Sequence, residues 1–229
     1  MSRRLTLLLL LIVAGLAACG DDDDGGGGGE PKQPQGSATV DQQPSGGCAE
    51  VAQPDPKPDG GAKRPAQALD PDATYDVVLE TSCGDITIRL DQKASPKTAA
   101  SFAGLAKAGF FDDTVFHRIV PGFVIQGGDP TQSGTGGPGY STVDPPAQGT
   151  GYVQGVVAMA KTQAEPAGTS GSQFFIVTGE DIGLPPDYAV VGEVTEGLDV
   201  VELIGTLGDP ATEQPLQPIV IESVTASSS

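Results

Sequence analysis

The sequence predicts a mainly β protein, a closed antiparallel β-barrel with two α-helices, and three observations lead there. Between Tyr75 and Ala226 the apolar residues come in short runs, several of them alternating, with Gly, Pro, Asp and Ser between them. Only two stretches carry a helix's period and punctuation, and no internal repeat is visible. Many short strands, turn signals and few helices suit a sheet closed on itself.

Each element follows from local chemistry. "YDVVLE" and "DITIRL" alternate and flank the short turn "TSCG", the pattern of an antiparallel hairpin. "SPKTAASFAGLAKAGF" predicts a helix, with Ser95 as N-cap, Pro96 at the first helical position and Gly109 at the end. Phe102, Leu105 and Ala106 share one face of it, which therefore packs inward. Further strands are expected at "TVFHRIV", "GFVIQGG", "GVVAMA", "SQFFIVT", "AVVGEV" and "PIVIESVTA", with a second short helix at "LDVVELI".

The chain divides into three parts. Residues 1–18 read as a signal peptide: Arg3 and Arg4 form a basic start, Leu5 to Val13 an apolar run too short for a spanning helix. The closing "LAAC" resembles the bacterial lipobox, which makes Cys19 a lipidated first residue of the mature chain and anchors it to a membrane. An ordinary signal peptide cleaved nearby is the alternative. Residues 19–71 are rich in Gly, Pro and Asp and read as a disordered acidic linker. Before Cys48 it would reach roughly 30 Å as a flexible coil. Residues 72–226 have globular composition, and about 155 residues suffice for one core.

Charge and cysteines narrow the setting. With 30 acidic against 12 basic residues the formal charge is −18. That argues against nucleic acid, whose phosphates need clustered Lys and Arg, and gives no affinity for anionic lipid heads. Outside the cytoplasm thiols oxidise. Once Cys19 is lipidated the remaining pair, Cys48 and Cys83, suggests one disulfide, with two free thiols as the alternative. Two cysteines and the single histidine make a poor metal site.

Two motifs mislead. "GTGGPG", Gly134 to Gly139, has the dinucleotide-loop spacing, but "YSTVDPP" follows with two prolines and no helical period. A Ser–His–Asp hydrolase could be drawn through His117, yet no serine sits in a nucleophile elbow. No cofactor is expected.

"FHRIVPGFVIQGGDP", "GTGGPGY", "GVVAMAKT" and "GTSGSQFFIVT", in that order, resemble the cyclophilins, peptidyl-prolyl cis–trans isomerases built on an eight-stranded β-barrel capped by two helices. The resemblance spans roughly Thr74 to Val224. It implies that Arg118 is the catalytic arginine, that Gln126 hydrogen-bonds the substrate backbone and that His117 borders the pocket as an auxiliary. Phe123 and Phe175 match the aromatic floor of the proline pocket, Leu184 its far wall, and Ala160 a backbone contact. Val124 stands where Met is common, and Tyr188 where members carry His or Tyr. Gly183 falls near a tryptophan that animal members use to bind cyclosporin, and Lys161 where Asn is common, in a contact made mainly through the backbone.

Taken together, the lipobox-like start and the cyclophilin resemblance imply a lipid-anchored isomerase at the extracytoplasmic face of a bacterial cell membrane, with monomer the default. Its partners would be proline-containing polypeptides. A non-catalytic proline-peptide binding module or holdase with the same pocket is the alternative.

Overall fold

A computed structural model of the chain describes residues 47–229. Cys19, the signal-like segment and the first part of the linker lie outside the described residues.

The predicted hairpin forms: β1 (Tyr75–Thr81) and β2 (Gly84–Leu90) pair antiparallel, with Thr81 opposite Gly84. The predicted first helix is α1 (Pro96–Lys107), whose Phe102, Leu105 and Ala106 are all buried. Ser95 does stand at its N-cap, but its side chain makes no capping bond. The Asp144 carboxylate does that work from a distant loop, accepting the Thr98 N–H at 2.7 Å. A buried carboxylate at a helix start also meets the positive end of the helix dipole.

The stretch "TVFHRIV" is not one continuous strand. It splits into β3 (Thr114–Val115) and β4 (Arg118–Val120), and then come β5 (Val124–Gly127), β6 (Thr142–Val143), β7 (Val156–Met159) and β8 (Thr169–Ser170). The chain continues with β9 (Phe174–Val177), β10 (Val190–Glu196), α2 (Leu198–Gly205) and β11 (Val220–Ser228). Nine strands make one antiparallel sheet in the order β3-β11-β1-β2-β10-β7-β9-β5-β4, and β6 pairs with β8.

The expected eight strands and these nine reconcile at the sheet's edges. The edge strands β3 and β4 are separated only by Phe116 and His117, so they are two pieces of one run. Counted once, nine becomes eight. β3 pairs with β11 and β4 with β5, so the sheet curls until its two edges meet through the covalent chain rather than through a ladder. The Phe116 N–H, inside the break, still donates to Ile219 O at 3.0 Å.

The interior follows the two-residue repeat of strands. Ile119, Ile125, Ile176 and Val157 lie side by side on β4, β5, β9 and β7, and all four are fully buried in the main core with Phe102 and Phe174. Among the described residues no helix is long and apolar enough to cross a membrane.

Residues 47–71 were read as the end of a linker, and this needs amending. They carry no regular secondary structure, as a linker would, yet they are strapped along the domain. Cys48 and Cys83 form the expected disulfide, fixing the strap to the β1–β2 turn. Further on, Lys57 N donates to Pro130 O at 2.7 Å and Gly60 N to Gly137 O at 2.9 Å, while Asp59 accepts the Gly137 N–H at 2.8 Å. Their low apolar content hid this, because the strap is held by the disulfide, by hydrogen bonds and by only a few apolar residues, Cys48, Ala62 and Leu69, packed against the core.

Candidate active site

The site grows from the other half of the same repeat. Arg118 on β4 lies opposite Gln126 on β5, Gln126 opposite Phe175 on β9, and Phe175 opposite Ala158 on β7. Directly opposed residues share a face, so these four project outward where the isoleucine row projects inward. Apolar residues on an outward face need cover. They find it in a second, smaller cluster in which Val124, Tyr152, Ala158, Phe175 and Val177 are buried. Phe123, Ala160, Ile182, Leu184 and Tyr188 pack against it, partly buried.

All six residues predicted to line a substrate pocket, Phe123, Val124, Ala160, Phe175, Leu184 and Tyr188, thus fall into this cluster. Phe175 meets Tyr188 edge-on, ring centroids 5.6 Å apart at 84°. The Ala160 N–H donates to Gln173 O at 2.9 Å, so a backbone contact with a ligand would fall to its carbonyl.

Arg118 is held at two of its nitrogens. Nη1 donates to Gln126 Oε1 at 3.3 Å, and Nε to Glu213 Oε2 at 2.7 Å. A chain of amides continues from there: Gln126 Nε2 donates to Gln173 Oε1 at 3.0 Å, and Gln173 Nε2 to Gly136 O at 2.9 Å. Gly136 belongs to the glycine-rich loop, and no helix follows that loop, as the prolines foretold. Its shape comes from the buried Asp129. The Asp129 carboxylate accepts the backbone N–H of Thr131, Gly134 and Gly136 and the Thr131 hydroxyl. Burial pushes its pKa up, but the Thr131 hydroxyl and those N–H groups outweigh it, and the net effect is a carboxyl held below its usual range.

His117 is mostly buried, and neither ring nitrogen has a hydrogen-bond partner. Gln173 lies close to the ring, but its amide is engaged by Gln126 and Gly136. Burial pushes the imidazole pKa down, the Arg118 charge adds to this, and the Asp129 carboxylate only partly opposes it. A neutral ring without a serine partner has no hydrolytic triad around it.

Three contributors, Tyr152, Gln173 and Glu213, escape the sequence reading, and a fourth, Lys161, acts differently from what it implies. The Tyr152 hydroxyl donates to Tyr188 O at 2.7 Å and accepts Tyr188 N–H at 3.0 Å, which fixes the rim. Nothing local marked it. Lys161, expected to matter through its backbone, has a side chain only 2% exposed, with Nζ 2.5 Å from Asp187 Oδ2 and 5.5 Å from the Tyr188 ring. Gln173 was readable: it sits two residues before Phe175, so the strand period puts both on one face. Glu213 lies 95 residues beyond Arg118 and could not be placed.

The fold and this outward cluster define a class, and comparison with known proteins gives the family. The family described as "Cyclophilin type peptidyl-prolyl cis-trans isomerase/CLD" matches residues 76–226. The peptidyl-prolyl cis-trans isomerase A of Mycobacterium tuberculosis is 40% identical over 177 residues, covering 69% of this chain and 94% of that protein. The peptidyl-prolyl cis-trans isomerase B of Streptomyces anulatus is 40% identical over 164 residues, covering 64% and 93%. A cyclophilin type peptidyl-prolyl cis-trans isomerase of Cryptosporidium parvum, solved in the presence of the dipeptide Ala-Pro, superposes with a TM-score of 0.62 at 30% identity, covering 67% of this chain and 99% of that one. The chain belongs to the cyclophilin-type peptidyl-prolyl cis-trans isomerase family.

The buried imidazole makes a pH prediction. Its folded pKa lies below the unfolded value of about 6.5, so the unfolded chain binds more protons as pH falls through that range. Stability is therefore full above about pH 6.5 and declines below it. Denaturant midpoints should fall between pH 7.5 and 5.5 in the wild type and fall less in His117→Phe. Equal slopes would show that the ring is solvated.

Proposed function

We propose that the domain accelerates rotation about X–Pro bonds in exported proteins, with Arg118 as the catalytic donor and the outward apolar cluster as the seat of the proline ring. The observation that carries this reading is the coincidence of a charged fork and an apolar cluster on adjacent strands. Arg118, Gln126 and Phe175 stand in one cross-strand row, and the expected pocket residues gather round Phe175. The Ala-Pro dipeptide present with the Cryptosporidium relative supports a prolyl ligand.

The chemistry needs little else. The barrier to X–Pro rotation, near 20 kcal/mol, is amide resonance. At the 90° twist the conjugation is lost and the prolyl nitrogen gains a lone pair that accepts a hydrogen bond. A donor fixed at that point stabilises the twisted state over both planar ones, which is the condition for acceleration. Arginine is always charged and offers a planar fork, so some of its N–H groups can be anchored while others reach the substrate. Phe123, Phe175 and Leu184 exclude water from an amide that loses charge separation as it twists. Gln126 holds the peptide backbone on one side of the rotating bond. His117, neutral and buried, lines the wall.

In a coupled proteolysis assay on an Ala–Pro peptide, Arg118→Ala should cut the rate enhancement about tenfold or more, the worth of one charged hydrogen bond. Its melting temperature should stay close to the wild type's. An unchanged rate would remove Arg118 from the mechanism.

The same proposal places the domain outside the cytoplasm, tethered through Cys19 as monomers on an acidic spacer. Support comes from the lipobox-like "LAAC" and from an oxidised Cys48–Cys83 pair, which fits an oxidising compartment. Intact-mass analysis of the protein from membranes should find a chain beginning at Cys19 with added acyl mass. A chain that begins elsewhere without acyl mass would refute the tether.

A further inference from the structure

The turn before β11 supplies a group that neither the family resemblance nor the comparisons assign. Glu213 sits there with a left-handed backbone, φ 60°, a conformation that disfavours any residue with a Cβ. The turn is built to hold it. The Asp209 carboxylate accepts Ala211 N–H at 2.7 Å and Thr212 N–H at 3.0 Å, and Glu213 N–H donates to Asp209 O at 2.8 Å. The turn is also docked on β4. Ile119 N–H donates to Glu213 O at 2.8 Å, and Gly208 packs so near Ile119 that a Cβ there would come within 2.3 Å of the Ile119 carbonyl oxygen. Glu213 therefore grips the neighbour of Arg118 with its backbone and Arg118 itself with its carboxylate.

Its hold on the guanidinium is the stronger of the two. The Nε–Glu213 contact is a charged pair at 2.7 Å, and the Nη1–Gln126 contact is to a neutral amide at 3.3 Å. Charge-assisted bonds are about twice as strong as neutral ones. With two edges of a rigid plane anchored, the third is aimed, and Nη2 has no hydrogen-bond partner among the described residues. Asp113 and Gln132 share this backbone form, so it is the carboxylate's grip on Arg118 that sets Glu213 apart.

We infer that Glu213 is a positioning residue for the isomerase: it locks the Arg118 guanidinium so that Nη2 faces the prolyl nitrogen. The inference rests on the isomerase reading above. A purely structural role is a poor fit, because the side chains of this partly buried pair stay 34% and 46% exposed, and solvent screening limits what it adds to folding.

The test is the peptide assay on wild type, Glu213→Ala, Glu213→Gln, Glu213→Gly, Arg118→Ala and the Arg118→Ala/Glu213→Ala double variant, with thermal melts of each. We expect Glu213→Ala to lower kcat at least about fivefold with KM within about twofold, and Glu213→Gln, which keeps an acceptor in place, to recover part of the loss. Glu213→Gly relieves the left-handed strain, so it should melt no lower than wild type and still be slow. In the Arg118→Ala background the Glu213 change should have no further effect, since a residue that acts through another loses its influence with it. A Glu213→Ala enzyme as fast as wild type overturns the inference. So does a faster one, which would mean that Glu213 sequesters the guanidinium, and so does a rate loss that persists without Arg118. A wild-type rate no better than buffer would instead bring down the isomerase reading, and the inference with it.

Discussion

The two-residue repeat of four adjacent strands carries both the core and the site. β4, β5, β9 and β7 each send one residue inward to the Ile119–Ile125–Ile176–Val157 row and the next outward to the Arg118–Gln126–Phe175–Ala158 row. The inner row is fully buried and fixes register, because a slip of one residue would drive Arg118 and Gln126 into the core. Any change that disturbs the core thus moves the site, and the outward row is as well fixed as the barrel. This is how a partly buried arginine acquires a defined place beside an apolar cluster. Positions on strands are more precise platforms than loops.

Electrostatics then does the rest with few charges. The protein carries a formal charge of −18, yet Arg118 itself meets one carboxylate, Glu213, and one neutral amide, Gln126, and the site's other ion pair, Lys161–Asp187, lies at the Tyr188 rim. The Asp129 carboxylate is consumed by four hydrogen bonds to its own loop. Burial pushes the His117 pKa below the usual imidazole value. On the proposed mechanism a charged donor at Arg118 would contribute about 1.5–3 kcal/mol, or one to two decades of rate. Cover by the apolar cluster would add to that by favouring the less polar twisted amide. Rotation about a bond breaks nothing covalently, so the proposed mechanism asks only for position and desolvation.

Much of this was legible because the repeat is written directly in the sequence. The alternation in "YDVVLE" and "DITIRL", the Ser95–Pro96–Gly109 punctuation of α1 and the apolar runs around Phe123 and Phe175 all report local physics, and the ordered motifs supplied the expected pocket residues. Gln173 was available from the same periodicity. What stayed hidden depends on contacts distant in sequence. The cap of α1 comes from Asp144, the rim is fixed by Tyr152, and the second anchor of Arg118 arrives from Glu213. The strap over residues 47–71 was misread because composition measures the capacity to bury surface. It does not register backbone groups that dock on a neighbouring loop. The division of "TVFHRIV" into β3 and β4 was likewise invisible, since it arises where the sheet's two edges meet.

A structure of this domain with a bound Ala–Pro peptide tests most directly whether the Arg118 guanidinium and the apolar cluster around Phe175 act together on a proline. The account predicts the proline ring among Phe123, Phe175 and Leu184, with a terminal nitrogen of Arg118 about 3 Å from the prolyl nitrogen. A ring seated elsewhere on the barrel, or an Arg118 turned away from a ring that does lie against the cluster, would contradict it.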